Sequence, residues 1–127
     1  MEAEIPKIKN HIDWERPEAI DWISFRKAIE SNILSGKTVI VEGLFAFHNK
    51  EINNLYDKMI FITLSREEFL RRKRIDLRWG REPEWYINHI WDSFVIHGLF
   101  PQDIANALLL DGAQNFNPSD VISYLQS

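Results

Sequence analysis

An α/β fold is what this sequence predicts, on three observations. Two β-branched, apolar runs, TVIVEG at 38–43 and MIFITL at 59–64, are separated by a short polar connection. Segments with helical periodicity stand before and after them, and a third short run, ALLLDG at 107–112, precedes a terminal segment opened by Pro118. Apolar runs with little alternation are how strands covered on both faces of a parallel sheet read, and their alternation with helices is the α/β pattern.

Taken in order, residues 1–16 have little regular pattern. Pro17 then opens a segment in which Trp22, Phe25, Ile29 and Ile33 fall at i, i+3, i+7 and i+11, one stripe of a helix expected to end near Leu34 and stop at Ser35-Gly36. The 38–43 strand follows, with Glu42 and Gly43 at its end. A short helix over Glu51 to Tyr56 leads to the 59–64 strand, and the strand, connection, strand order predicts a parallel crossover. Ser65 and Glu68 have the spacing of a capping box for a helix that carries a basic cluster at 71–81. After Gly80 and Pro83, a long helix runs from Glu84 to about His97, with Tyr86, Ile90 and Phe94 on one side and Gly98 at its end. The helix from Pro118 closes the chain.

Length and composition bound the function. At 127 residues this is one domain's worth of chain, since domains commonly have about 100 to 150 residues. A hydrophobic fraction of 45%, with five Trp and eight Phe, supplies a packed core and argues against disorder. The net charge of -4 gives no general reason to bind nucleic acid, so any anion site must be local. With no cysteine there is neither a disulfide framework nor a thiolate metal site, which fits a reducing compartment: the cytoplasm by default, or an organelle for a subunit of an assembly. The N-terminal MEAEIPKIKN has no apolar secretory core, and no run of roughly 18 apolar residues follows, so no membrane insertion is expected.

Four segments carry chemistry. Gly36-Lys37-Thr38 spells the tail of a phosphate-binding loop, but Ser31 stands where that motif needs its first glycine, and the triplet follows a helix and opens a strand, the reverse of the required context. In DWERPEAIDW (13–22), Glu15 and Glu18 suit the positive end of a helix macrodipole. In VIVEGLFAF (39–47), Glu42 sits at a strand's carboxyl end, where open α/β sheets bind ligands and where a carboxylate suits Mg²⁺ or caps the next turn. In REEFLRRKRIDLRWGRE (66–82), Arg71, Arg74 and Arg78 share a helix face, and Arg81 lies just beyond. Guanidinium forks suit an oxyanion. The competing reading is a solvated helix with Glu67-Arg71, Glu68-Arg72 and Arg72-Asp76 pairs worth about 0.2 to 0.5 kcal/mol each, which leaves Arg74, Arg78 and Arg81 without partners. His89 and His97, eight apart with no third ligand near, do not form a metal pair.

Together with EPEWYINHIWDSFVIHG (82–98), these segments resemble, in order and spacing from about residue 5 to the C-terminus, the P-loop nucleoside kinases, closest to nicotinamide riboside kinase and uridine kinase. The resemblance implies a three-layer, parallel-sheet P-loop kinase-like fold in a single domain over 1–127 with a lid at 71–82. In a complete member it also implies ATP- and Mg²⁺-dependent phosphorylation of a ribonucleoside 5′-hydroxyl, in NAD biosynthesis for the riboside kinases. By the same resemblance Glu15, where the family usually has Asp, would hold ribose hydroxyls. Trp85 and Tyr86 would stack on the base or nicotinamide ring, Glu42 would face the metal, and Arg71, Arg74 and Arg78 would close on the phosphates. The family's first strand, its P-loop, its second strand and the segment with its catalytic base have no counterpart here, so the domain is expected to be incomplete and inactive alone. Three readings follow: part of a kinase that binds nucleoside and ATP, a non-catalytic kinase-like subunit held by protein partner chains in an assembly, or a binding module in which strands 38–42 and 59–64 pair directly.

Overall fold

A computed structural model describes residues 4–127, so the first three residues of MEAEIPKIKN lie outside the described part. The described chain divides into two compact units, Met1–Asn54 with Ser93–Leu99, and Leu55–Asp92 with Phe100–Ser127. The sheets are small, two strands each, one antiparallel and one parallel.

In the first unit, β1 (Lys7–Ile8) and β2 (His11–Ile12) form a hairpin where no regular pattern was expected. Its two-residue turn, Lys9-Asn10, has φ of 44° and 65°. Positive φ at both central residues is what a type I′ turn requires, and this turn lacks the Asn-Gly or Asp-Gly pair that usually announces it. A single 3₁₀ turn, Pro17–Ala19, follows, and the helix proper, α1 (Trp22–Leu34), begins later than Pro17. Its cap is Asp21, whose Oδ1 accepts the Ser24 N–H at 3.0 Å while Oδ2 accepts the Ser24 hydroxyl at 2.7 Å. Of the predicted stripe Ile29 is fully buried, Trp22 and Phe25 are half-buried and Ile33 is exposed. The helix stops where expected, with Gly36 at φ 75°.

The predicted 38–43 strand is corrected: Thr38 to Glu42 has no regular secondary structure and belongs to no ladder, and Ile40 is 87% exposed. β-branched composition favours an extended backbone, but only a neighbour supplies the ladder. The segment runs instead into a turn at 43–48 whose Phe45 and Ala46 are buried, and α2 (Lys50–Asn53) follows, shorter than predicted, with Asn49 as its cap. Ile29, Phe45, Ala46 and Ile52 are the most buried apolar residues of this part of the unit.

In the second unit β3 (Ile60–Thr63) pairs in parallel with β4 (Leu108–Asp111), Ile60 opposite Leu108 and Thr63 opposite Asp111. The predicted crossover from 38–43 to 59–64, and their direct pairing, are thereby both replaced by a pairing of the two later runs. Ser65 caps α3 (Arg66–Ile75) by accepting the Glu68 N–H at 3.2 Å. The reciprocal half of the capping box is absent, because the Glu68 carboxylate binds arginines instead. The predicted 84–97 helix is α4 (Glu84–His97), with Glu84 to Asp92 counted with the second unit and the rest with the first. Finally α5 (Pro118–Gln126) starts at Asn117, which caps it, and ends on a tie to β3: the Tyr124 hydroxyl accepts the Met59 N–H at 2.9 Å and has the Met59 and Asn106 carbonyls at 2.9 and 3.0 Å to receive its proton.

That hydroxyl serves backbone groups at the entrance of both strands, so its loss leaves a half-buried N–H unmet. Tyr124→Phe is expected to lower stability by about 1 to 3 kcal/mol in urea unfolding, with an unchanged slope. An unchanged midpoint would show that the hydroxyl does not hold α5 to the sheet.

Candidate functional site

A cavity of about 390 Å³ lies within the first unit, and Glu15 and Glu42, the two carboxylates expected there to hold a ligand, line it. Its other walls include Trp14, Phe25, Leu44 and Phe45, so two acids share a small space with aromatic rings.

Local sequence explains how each acid arrives there. Glu15 follows the hairpin at once: Asp13 donates its N–H to the Pro6 carbonyl at 2.8 Å, and its side-chain Oδ1 accepts the Glu15 N–H at 3.1 Å. Beyond Glu15 the buried ring of Pro17 and the hydrogen bond from the Trp22 indole to the Pro17 carbonyl, 2.9 Å, lock the entry to α1. Glu42 does not stand at the end of a central strand, as predicted, but at the end of the unpaired 38–42 segment, next to Gly43 at φ 150°. That positive φ, costly for an L side chain, lets the chain turn abruptly, and the turn is closed by the Ala46 N–H to the Gly43 carbonyl at 3.2 Å and the His48 N–H to the Phe45 carbonyl at 3.0 Å. Glu42 is exposed, Glu15 half-buried, and Trp14 is 58% exposed.

The remaining predicted site residues belong to the second unit. Arg71 makes a two-point contact to Glu68, Nε to Oε2 at 2.8 Å and Nη2 to Oε1 at 2.6 Å, and Arg72 adds a third bond to the same carboxylate at 2.6 Å. Arg74 pairs with Glu84, and Arg78 with Asp76 through Nε at 2.9 Å and Nη2 at 2.7 Å. The expectation that Arg74 and Arg78 have no partner is therefore corrected. Helix spacing misses both, since Glu84 comes from the next helix, and Asp76 and Arg78 both follow the end of α3 at Ile75, so Arg78 does not share the helix face expected for it. Lys73 lies 3.2 Å from Glu82 in a pair that the sequence reading did not consider, but that Glu82 oxygen makes no hydrogen bond, so the contact is one of charge without alignment. Trp85 and Tyr86 are half-buried with their rings edge to face at 5.6 Å.

Among the described residues no group of three or more His, Asp or Glu side chains converges as a metal site, and no helix is long and apolar enough to cross a membrane. Sequence reasoning passed over Trp14 and Asp13. The first was visible only as the aromatic beside Glu15, and the second gives no signal, because a buried acid and an exposed one look alike in sequence. Compared with family models, curated proteins and solved structures, the chain matches none.

The arginine pairs set an acid sensitivity. Hydrogen bonds from Arg71 and then Arg72 hold the Glu68 carboxyl at about 2 against an ordinary 4.5, and those from the Arg78 side chain and backbone hold Asp76 at about 2 against 3.8. A carboxyl lowered on folding stabilises the fold above its unfolded value and loses that effect as pH falls through the folded one. Thermal midpoints are expected to stay flat down to about pH 5 and to fall from there towards pH 2, modestly and less in high salt, because the pairs face solvent. Glu68→Gln should flatten part of that acid limb, and an identical limb in the variant would remove the Glu68 pairs from the explanation.

Proposed function

We propose that the cavity of the first unit is a ribonucleoside site, and that the chain is a nucleoside kinase-like protein of the nicotinamide riboside kinase or uridine kinase kind that binds the riboside without transferring phosphate to it by itself. The observation that carries this reading is the convergence of Glu15, Glu42 and Trp14 on one cavity. A carboxylate accepts hydrogen bonds from both hydroxyls of a vicinal diol, and charge-assisted bonds of this kind are the stronger ones. An exposed indole beside it offers a face on which a base or nicotinamide ring stacks, a contact worth about 1 to 3 kcal/mol. In this reading the three-layer sheet of the P-loop kinases is present only in part.

The residues fit one half of the cofactor set. Glu42 suits Mg²⁺ as one carboxylate ligand, with a phosphate and water supplying the others, and such a metal would neutralise charge on a transferred phosphoryl group. For ATP the described residues do not fit: Gly36-Lys37 closes a helix, with Gly36 in a left-handed turn, and offers no strand-to-helix cradle of backbone N–H groups. A second reading, a non-catalytic kinase-like subunit of an assembly, draws on two different observations: the unpaired Thr38–Glu42 segment with Ile40 exposed, and lid arginines already satisfied by carboxylates.

Titration of the chain with uridine or nicotinamide riboside, followed by tryptophan fluorescence, tests the first reading. Glu15→Gln and a 2′-deoxy ligand are each expected to weaken binding by about tenfold or more, since each removes hydrogen bonds to a charged group. Equal affinity for ribo and deoxyribo forms would exclude a diol-binding role for Glu15. With ATP and Mg²⁺ no phosphorylated riboside is expected; turnover that disappears in Glu42→Gln would overturn the account of the absent cradle.

A further inference from the structure

Asp13 is only 2% exposed and is the one charged side chain among the fully buried residues described. Acids are seldom buried to this degree without strong hydrogen bonds, and an exposed Asn or Ser closes a turn of this type at much lower desolvation cost. Asp13 does more than close a turn. Its N–H is tied to Pro6 at the base of the β1-β2 hairpin, its carboxylate receives the Glu15 N–H, and the two residues spanned by that bond, Trp14 and Glu15, are the ring and the acid that line the cavity. The bond to the carboxylate is charge-assisted, so it resists exchange for water better than one to a neutral acceptor.

We infer that Asp13 is a positioning residue for the ligand site: through the Glu15 amide it sets where the Glu15 carboxylate and the Trp14 ring stand, and thereby the affinity of the cavity for a vicinal diol beside a flat ring. This rests on the ribonucleoside reading for its ligand but not for its geometry. The test follows amide exchange at Glu15 by NMR and uridine affinity in the intact chain with Asp13→Ala and Asp13→Asn. Asp13→Ala is expected to speed Glu15 exchange selectively and to weaken uridine by about tenfold, while Asp13→Asn, which keeps an acceptor oxygen, restores both to within about threefold. A purely structural Asp13 predicts something else: all amides of the unit exchange faster together, and the folded fraction binds uridine as the natural chain does. Either result, or a Glu15 amide that exchanges as before, overturns the inference. If Asp13→Ala does not fold, Asp13→Glu decides, since its acceptor is displaced by one methylene: full uridine affinity overturns the inference and selective weakening supports it. A natural chain that binds no uridine defeats the ribonucleoside reading alone, and the Glu15 amide then still decides whether Asp13 positions that residue.

Discussion

Burial of Phe45 and Ala46 is the contact on which the first unit's site depends, because no sheet holds Glu42 in place. A strand inside a ladder is fixed by its neighbours on both sides, whereas Thr38 to Glu42 is fixed at its ends: by α1 before it and by the turn after it. That turn stands because Phe45 and Ala46 are buried, the Phe45 and His48 rings meet at 6.3 Å, His48 stacks on Trp22 at 5.6 Å, and the Asn53 amide donates to the Phe47 carbonyl at 2.9 Å. Glu42 immediately precedes the turn, so the position of its carboxylate follows from apolar packing three residues away. Loss of a buried Phe side chain costs about 3 to 5 kcal/mol, and here the site would go with it.

The arginines of α3 show a different economy. Arg71 and Arg74 of α3, and Arg78 just past its end, are each engaged by a carboxylate, in solvent-facing pairs that contribute little to stability. An incoming oxyanion would therefore exchange one partner for another at small cost. In the first unit two acids, Glu15 and Glu42, line one cavity.

The helices were legible because periodicity and caps are local. Ser35-Gly36 ended α1, Ser65 began α3 and Gly98 ended α4 as their chemistry required. Pairing was less legible: TVIVEG and MIFITL read alike, but only the second acquired a parallel neighbour, and that neighbour came from Leu108–Asp111, far along the chain. The hairpin at Lys9-Asn10 was missed for want of glycine, and the site was legible by half, through Glu15 and Glu42. What joins those two acids is tertiary: the desolvated Asp13, the turn at Gly43 and the packing of Phe45 leave no mark of their own in a single sequence.

Intermolecular nuclear Overhauser effects between a bound riboside and the labelled chain test the central claim, that this cavity receives a ribose and its base, most directly. The account predicts contacts from the ribose H2′ and H3′ protons to the Glu15 side chain, and from base protons to the Trp14 indole. A riboside whose contacts fall only on residues away from Trp14, Glu15 and Phe45, or that gives none at saturating concentration, would contradict it.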